Sequence, residues 1–430
     1  MLLSFPGSAG RPQADDVPLH SARAGMLSFL KENRSWLSAG AVLTLLSSFG
    51  QTYFISLFAA EIRMDFRLSH GGWGAIYSLG TTASAAVMIW AGSLTDVLRA
   101  RTLGILVLAG LAMACFAMAW NPYVSLLPVV IFALRLTGQG MCSHIAIVSM
   151  ARWFVATRGR ALSIASLGFA AGEALLPLIF VALLGIFHWR SLWVVAACVA
   201  ILGIPLRIRL FKTERTPQSL ADENQSFGMG DAHWSRTSAL RHPLFWFMVP
   251  AILGPSAFNT AFFFHQVYFA ELKGWTHLSL VSLFPLYTAV AIAAMVASGI
   301  ALDRFGTARL TPLYQLPMVV AFLILAAATS LVHAALGFVF LALTTGANST
   351  LPNAFWAEFY GTRHIGSIKA MATAVMVLGS AIGPGVTGIL IDLQVDLPVQ
   401  FVGVAVYFVL ASISMWIGIR RYRGALPQLA

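Results

Sequence analysis

The sequence predicts an all-α integral membrane protein with twelve transmembrane helices. Of its 430 residues, 58% are hydrophobic and only 10% are charged, whereas a soluble globular protein carries about 25% charged residues. A run of about 20 apolar residues spans a bilayer as a helix, and runs free of Asp, Glu, Lys and Arg recur along the chain. The clearest runs are Ser35–Ala60, Leu68–Thr95, Thr102–Leu134, His242–Ala270, Gly274–Leu302, Leu310–Ala357 and Ala370–Ile391.

Two of these runs are too long for a single helix. Thr102–Leu134 is interrupted at Asn121-Pro122, and Leu310–Ala357 is interrupted near His333. Since proline disfavours the helical conformation of the residue before it and cannot continue a helical ladder, the first break is a helix boundary. Splitting both runs gives twelve helices, which are numbered 1 to 12 along the chain.

The helices divide the chain into five parts. Residues 1–34 form a polar cytoplasmic tail, 35–211 a first six-helix half, 212–241 a polar linker, 242–420 a second six-helix half and 421–430 a second tail. The linker stands out because it lacks any apolar period and contains Asp, Glu, Asn, Gln, Ser and Gly. The sequence therefore predicts two domains of equal helix number.

The distribution of basic residues predicts the orientation in the membrane. Of 27 Lys and Arg residues, 22 fall in the termini and in the loops after even-numbered helices. Four fall in loops after odd-numbered helices, namely Arg63, Arg67, Arg190 and Lys273. Basic loops stay in the cytoplasm, so both termini are expected there. The net charge of +11 thus reflects the orientation of the chain in the membrane, and we expect no nucleic-acid partner.

An internal repeat relates the two halves at a constant offset of 207 residues. Such a parallel repeat of six helices occurs in transporters, whose substrate site lies at the interface of the repeats. The matching pairs are Gly92 and Gly299, Asp96 and Asp303, Gly159 and Gly366, Gly172 and Gly379, and Pro177 and Pro384.

The loops after helices 2 and 8 resemble those of the major facilitator superfamily, which carry a G-x-L-x-D-R-x-G-R-R motif. The copies here read Gly92-Ser-Leu94-Thr-Asp96-Val-Leu-Arg99-Ala-Arg101 and Gly299-Ile-Ala-Leu-Asp303-Arg304-Phe-Gly306. The resemblance covers residues 35–420 and implies the major facilitator fold. It assigns a gating latch to these loops, because a carboxylate stabilises the start of the next helix. The alternative is an ordinary solvated charge. The latch residues are Gly92, Asp96, Arg99, Gly299, Asp303 and Arg304.

Two further segments carry a finer resemblance. Arg152-Trp153-Phe154 followed by Arg158-Gly159-Arg160-Ala161 looks like the W-F-x-x-x-R-G-x-A motif of the monocarboxylate and oxalate/formate branch. In helix 4, Arg135-Leu-Thr-Gly138-Gln139-Gly140 is similar to the family's R-x-x-Q-G-x-G, with the spacing shifted by one residue. The nearest relatives by motif are therefore expected in that branch.

Arg135 in helix 4 and Glu173 in helix 5 are the two charges well inside apolar segments. Charges at that depth are costly and usually face a bundle interior or a water-filled cavity. At 1.5 Å per residue they lie within ~3 Å in depth. They either form a permanent ion pair or exchange partners, with Arg135 binding substrate while Glu173 is protonated. We expect exchange. Helical spacing puts Gln139, Cys142 and Ser143 on the face of Arg135.

Other polar residues in the helices either bond neighbouring helices or line a cavity. The cavity candidates are Tyr53, Asn259, Gln266, Tyr287 and Asn348. Gly168 and Gly172 in helix 5, with Gly379 and Gly383 in helix 11, form small-residue faces that permit close helix contact.

These observations predict a secondary transporter of a small organic solute that works by alternating access. Arg135 favours an organic anion such as a carboxylate, and Glu173 favours proton coupling, so symport across a bacterial inner membrane is expected. The alternative is a proton-driven exporter of cationic or amphipathic compounds. A membrane-embedded enzyme or receptor is a distant alternative, since no nucleophile–base set is present. We expect a monomer with membrane lipids as partners and no cofactor; Cys115, Cys142 and Cys198 form neither a metal site nor a disulfide framework.

Overall fold

The computed structural model describes residues 19–92, 94–154, 158–210, 227–361 and 364–426, apart from the side chains of 19–27, 96, 97, 151, 152, 158–160, 207–210, 303, 366 and 367. This part of the chain is almost entirely helical and contains no strand. Ten of its helices are long and apolar enough to cross a membrane. The protein is therefore an all-α integral membrane protein.

Twelve helices follow each other along the chain as the sequence predicts. They are α1 (Ser28–Gly50 and Thr52–Phe66), α2 (His70–Ala91), α3 (Ala100–Trp120), α4 (Val124–Met150), α5 (Ala161–Leu184), α6 (Trp189–Leu206), α7 (Pro243–Phe264), α8 (His277–Leu302), α9 (Leu316–Ala327), α10 (Leu331–Tyr360), α11 (Ile368–Asp392) and α12 (Leu397–Ala425).

Two of these helices depart from a simple membrane span. The two parts of α1 meet at 48°, because Gln51 has an extended backbone at φ −83° and ψ 153°. Helix α9 has only 12 residues, fewer than the ~20 that a span needs. The preceding stretch forms the short helix Thr307–Leu310 and then turns, and α9 begins only at Leu316. The predicted ninth span is thus shorter than its apolar run.

Both halves use the same helix pairings, which supports the internal repeat. In the first half, α1 packs on α5, α2 on α4 and α3 on α6. In the second half, α7 packs on α11, α8 on α10 and α9 on α12. Two six-helix units of the same architecture therefore face each other.

In the described part of the chain, three helix pairs make most of the contact between the halves: α1 with α7, α2 with α11 and α5 with α8. The side of the protein where α1 connects to α2 and α7 connects to α8 is called the far face. The opposite side, where both termini lie, is called the terminus face. On the far face, the hydroxyl of Ser56 donates to the Phe263 carbonyl at 2.7 Å. These two residues are themselves 207 positions apart, so the contact lies close to the axis relating the repeats.

Asp392 at the end of α11 reinforces the far-face contact. Its carboxylate accepts hydrogen bonds from the backbone N–H groups of His70 at 3.1 Å and Gly71 at 2.8 Å, at the start of α2. A carboxylate is stabilising at a helix N-terminus, where the dipole is positive. Leu378 and Ala374 continue the α11 face on which the Ala381 carbonyl accepts a hydrogen bond from Ser78 of α2, and both are exposed toward the terminus face. The structure is therefore closed at the far face and open toward the terminus face.

The end of the predicted linker packs against the second half instead of remaining an extended connection. The Trp234 indole N–H donates to the Met229 carbonyl at 3.0 Å, and the Trp234 backbone N–H donates to the Tyr360 carbonyl at 3.4 Å. Met229 is buried. The linker was predicted because the sequence lacks the apolar period of a helix. Two isolated packing residues, Met229 and Trp234, produce no such period and so gave no signal.

Candidate functional site

Glu173 lies where α5 meets α8, between the two halves. Its Oε2 accepts a hydrogen bond from the Thr288 hydroxyl on α8 at 3.3 Å. The carboxylate also lies within electrostatic reach of the hydroxyls of Tyr53 on α1 and Tyr287 on α8. One acidic group from the first half is thus surrounded by hydroxyl groups from both halves.

A chain of hydrogen bonds extends this site into the second half. The Tyr287 hydroxyl donates to Thr345 Oγ1 at 3.0 Å and accepts from the Asn259 side-chain amide at 3.4 Å. The Asn259 Oδ1 is buried and has no hydrogen-bond partner in the part of the chain that the structure describes. A polar group in this state provides an acceptor for a ligand, because a buried polar atom without a partner is costly.

Glycines bring α5 close to α1 at this site. A Cβ on Gly172 would lie 2.0 Å from Ser48 Oγ, and one on Gly168 would lie 1.9 Å from the Ala41 carbonyl oxygen. Ser48 in turn accepts a hydrogen bond from the Tyr53 hydroxyl at 2.8 Å. Gly379 and Gly383 likewise bring α11 close to α7. Close packing at Gly172 therefore fixes the position of the next residue, Glu173.

The repeat shows that the acid occupies only one of two equivalent interfaces. Glu173 is 207 residues before Ser380, and Thr81 is 207 residues before Thr288. The α5–α8 pair Glu173 and Thr288 thus corresponds to the α11–α2 pair Ser380 and Thr81. Both residues of the second pair are buried and uncharged. The α11–α2 interface forms without a charge at this position, so the fold does not require one at Glu173. We therefore infer that the Glu173 carboxylate serves function.

Arg135 is buried inside the first half, with 1% of its surface exposed. Its Nη1 donates to the Gly50 carbonyl at 3.2 Å and to Thr52 Oγ1 at 3.3 Å, and its guanidinium lies 5.4 Å from the centre of the Tyr77 ring. Gly50 and Thr52 flank the break in α1, and Tyr77 belongs to α2. Arg135 therefore donates to the Gly50 carbonyl that the break in α1 leaves free, while its Nε has no partner among the described residues.

No ion pair joins Arg135 and Glu173, although both side chains belong to the described part of the chain. The sequence estimate placed them at one depth, but α1 lies between the two helices. Gly50 of α1 faces Gly138 of α4, and Ser48 of α1 faces α5. A permanent pair is therefore not present in this structure, and each charge has its own partners.

The face predicted for helix 4 changes because the segment Arg135–Cys142 is a π-helix. The prediction used α-helical spacing to place Cys142 and Ser143 beside Arg135, and the wider π turn does not keep that spacing. Gln139 is half-buried in the π segment, beside Gly50. Single π turns in α-helices frequently occur at functional sites.

The other predicted cavity residues separate into two groups. Asn259 and Tyr287 belong to the network around Glu173, and Tyr53 adjoins it. Gln266 is buried and donates to Ser56 Oγ at 2.8 Å, which ties the Gln266–Leu272 segment after α7 to α1 on the far face. Asn348 accepts from the Tyr314 hydroxyl at 3.2 Å inside the second half. Thr288 was missed, since a lone threonine in an apolar helix carries no signal without the repeat.

The latch residues remain predictions. Gly92 ends α2, Arg99 and Arg304 are exposed, and a Cβ on Gly299 would have no neighbour within 4 Å. The side chains of Asp96 and Asp303 lie outside the described residues, as do those of the basic residues Arg152, Arg158 and Arg160.

Two bundles related by an internal repeat, closed at one face and with a half-buried acid between them, define a secondary transporter that works by alternating access. The chain belongs to the Major Facilitator Superfamily, whose family model matches residues 40–384. The family's members are transporters of small molecules and not enzymes, and they reside in membrane lipid. No curated protein sequence matches the chain at a significant level.

Solved structures show the same fold at low sequence identity. A bacterial homologue of the human lysosomal transporter Spinster, inward-facing and occupied, has a TM-score of 0.73 and 16% identity over 93% of this chain and 99% of that chain. Its unoccupied form has a TM-score of 0.72 and 15% identity over the same shares. The nucleoside transporter NupG has a TM-score of 0.68 and 14% identity over 89% of this chain and 99% of that chain.

Proposed function

We propose that the protein couples the movement of a small organic solute to protons and that Glu173 is the proton-carrying residue. The observation that carries this proposal is the position of Glu173 between the halves, hydrogen-bonded to Thr288 of the opposite half. A residue at this interface changes its surroundings when the halves rock against each other. Its protonation is therefore linked to the conformational change.

An organic cation is the substrate class that the site geometry supports best. Glu173 provides a negative charge between the halves, and Tyr53, Tyr287 and Asn259 provide hydrogen-bonding groups and aromatic surface around it. A proton and a cation that compete for one carboxylate give antiport. This is the exporter alternative from the sequence, and it gains support because the acid occupies the interface.

An organic anion remains the second candidate. It is supported by the unpartnered Nε of Arg135 and by the loop motif of the monocarboxylate and oxalate/formate branch. For an anion to reach Arg135, the packing between Gly50 and Gly138 has to open. Symport with a proton on Glu173 would then follow.

A flux assay with one ligand framework distinguishes the two classes. Purified protein in liposomes with an acidic lumen is expected to take up the cation 2-phenylethylamine in exchange for protons, at a rate above that of protein-free liposomes. Phenylacetate, the anion of similar shape, is expected to give no flux above protein-free liposomes. Flux of phenylacetate without flux of the amine would support the anion candidate instead, and a screen of further amines and carboxylates would extend either result.

We further propose a monomer in a bacterial inner membrane with both termini in the cytoplasm, which makes the present conformation inward-facing. The support is the excess of basic residues in the termini and even-numbered loops. Reporter fusions after Arg101, Lys212, Arg309 and Lys369 are expected to report a cytoplasmic location. An external location at Lys212 or Lys369 would contradict this orientation.

A further inference from the structure

A cavity of about 430 Å³ lies between the halves at the far face. It is formed by the ends of α1 and α5 from one half and by the Gln266–Leu272 segment and the start of α8 from the other. Along α5, Gly185 in its lining is 12 residues beyond Glu173, or about 18 Å away. Its apolar wall includes Val181, Leu184, Val267, Trp275 and Leu278.

The polar lining of this cavity consists of Glu61 from the first half and of Glu271 and His277 from the second. The two carboxylates act on each other electrostatically across the interface. Arg63 also lies within electrostatic reach of Glu271, but it does not line the cavity and no ion pair joins the two in the described chain. Closure of the far face thus brings two like charges together.

Two polar atoms of the lining residues have no hydrogen-bond partner among the described residues. They are Glu61 Oε2 and His277 Nε2, which are buried atoms of half-buried side chains. An ammonium group has several N–H donors and a positive charge, so it suits the Glu61 Oε2 acceptor and the two carboxylates. The Trp275 ring adds a surface that attracts cations, and the aliphatic wall suits an apolar body.

We propose that this far-face cavity binds an organic ammonium compound, with the ammonium group between Glu61 and Glu271 and the apolar part against Trp275 and Leu278. The cavity is a second binding site, separate from Glu173, on the far-face side of the transport path. The statement that the cavity ligand and the transported solute belong to one chemical class rests on the proposed function. The preference of the cavity for an ammonium group rests only on the residues that line it.

Calorimetric titration of the purified full chain with 2-phenylethylamine tests the proposal, with neutral 2-phenylethanol as the comparison ligand. The wild type is expected to bind the amine at two sites and to bind the alcohol at least tenfold more weakly. Glu61→Gln and Glu271→Gln are each expected to weaken one site at least tenfold. Glu358→Gln, an exposed glutamate on the terminus face, is the matched control and is expected to leave both sites unchanged.

The variants separate the two binding sites. Since Glu271 is exposed, Glu271→Gln is expected to fold even if Glu61→Gln does not, and size-exclusion chromatography checks both. Unchanged amine binding in Glu271→Gln and in any folded Glu61→Gln would overturn the far-face site. If those variants lose a site while Glu173→Gln loses none, the far-face site stands and cation binding at Glu173 fails.

Discussion

Replacing Glu173 by Gln is expected to abolish pH-driven transport of the cationic substrate while leaving the protein folded. Gln keeps the shape of the acid and a hydrogen-bonding partner for Thr288, so the α5–α8 contact persists. It removes the charge that binds the cation and the group that carries the proton. Affinity for the cation at this site is expected to fall at least tenfold, which corresponds to about 1.4 kcal/mol.

The measurement combines pH-gradient-driven uptake into liposomes with proton release on addition of the cation to purified protein. Wild type is expected to release protons on binding, and Glu173→Gln is expected to release none. Ser380→Ala alters the repeat-equivalent position in α11 and serves as the matched control, with coupling expected to remain. Normal pH-driven uptake by a folded Glu173→Gln protein would show that the proton is carried elsewhere.

The fold was predictable from the sequence because membrane helices leave a strong local signal. Hydrophobic runs, basic loops and the 207-residue offset between Gly92 and Gly299 each depend on residues close together in the chain or on simple matching. The family match and the pairing of helices confirm the resulting fold. The branch within the family stays a prediction, since the structural likeness at 14–16% identity shows the fold alone.

The site was only partly predictable, because it depends on which faces of the helices meet. Depth along a helix could be counted, and it placed Arg135 and Glu173 at one level. The direction of each side chain around its helix could not, since the break at Gln51 and the π turns after Arg135 alter helical spacing. Asn259 and Tyr287 joined Glu173, whereas Gln266 became a far-face contact. Polar residues in spans look alike in sequence whether they line a cavity or bond a neighbour.

Replacing Gly138 by Ala is expected to destabilise the protein by about 1–3 kcal/mol, the usual cost of overpacking a close-packed interior. A Cβ at Gly138 would lie 2.6 Å from the Cα of Gly50 and 2.7 Å from its N. Both neighbours are backbone atoms, so no side chain can rotate away. The α1 break or the π segment of α4 has to shift instead, and the bond from Arg135 to the Gly50 carbonyl weakens with it.

Gly403→Ala provides the matched control for this effect. Gly403 is an exposed helical glycine of α12, and a Cβ there would have no neighbour within 4 Å. This change is expected to be neutral or stabilising, because alanine favours the helix by about 1 kcal/mol over glycine. Denaturant unfolding in detergent, followed by the loss of helical signal, compares the two. Equal stability of Gly138→Ala and Gly403→Ala would mean that the α1–α4 contact yields without cost. In that case Arg135 would be free to leave the break, and the anion candidate would gain the access to Arg135 that it requires.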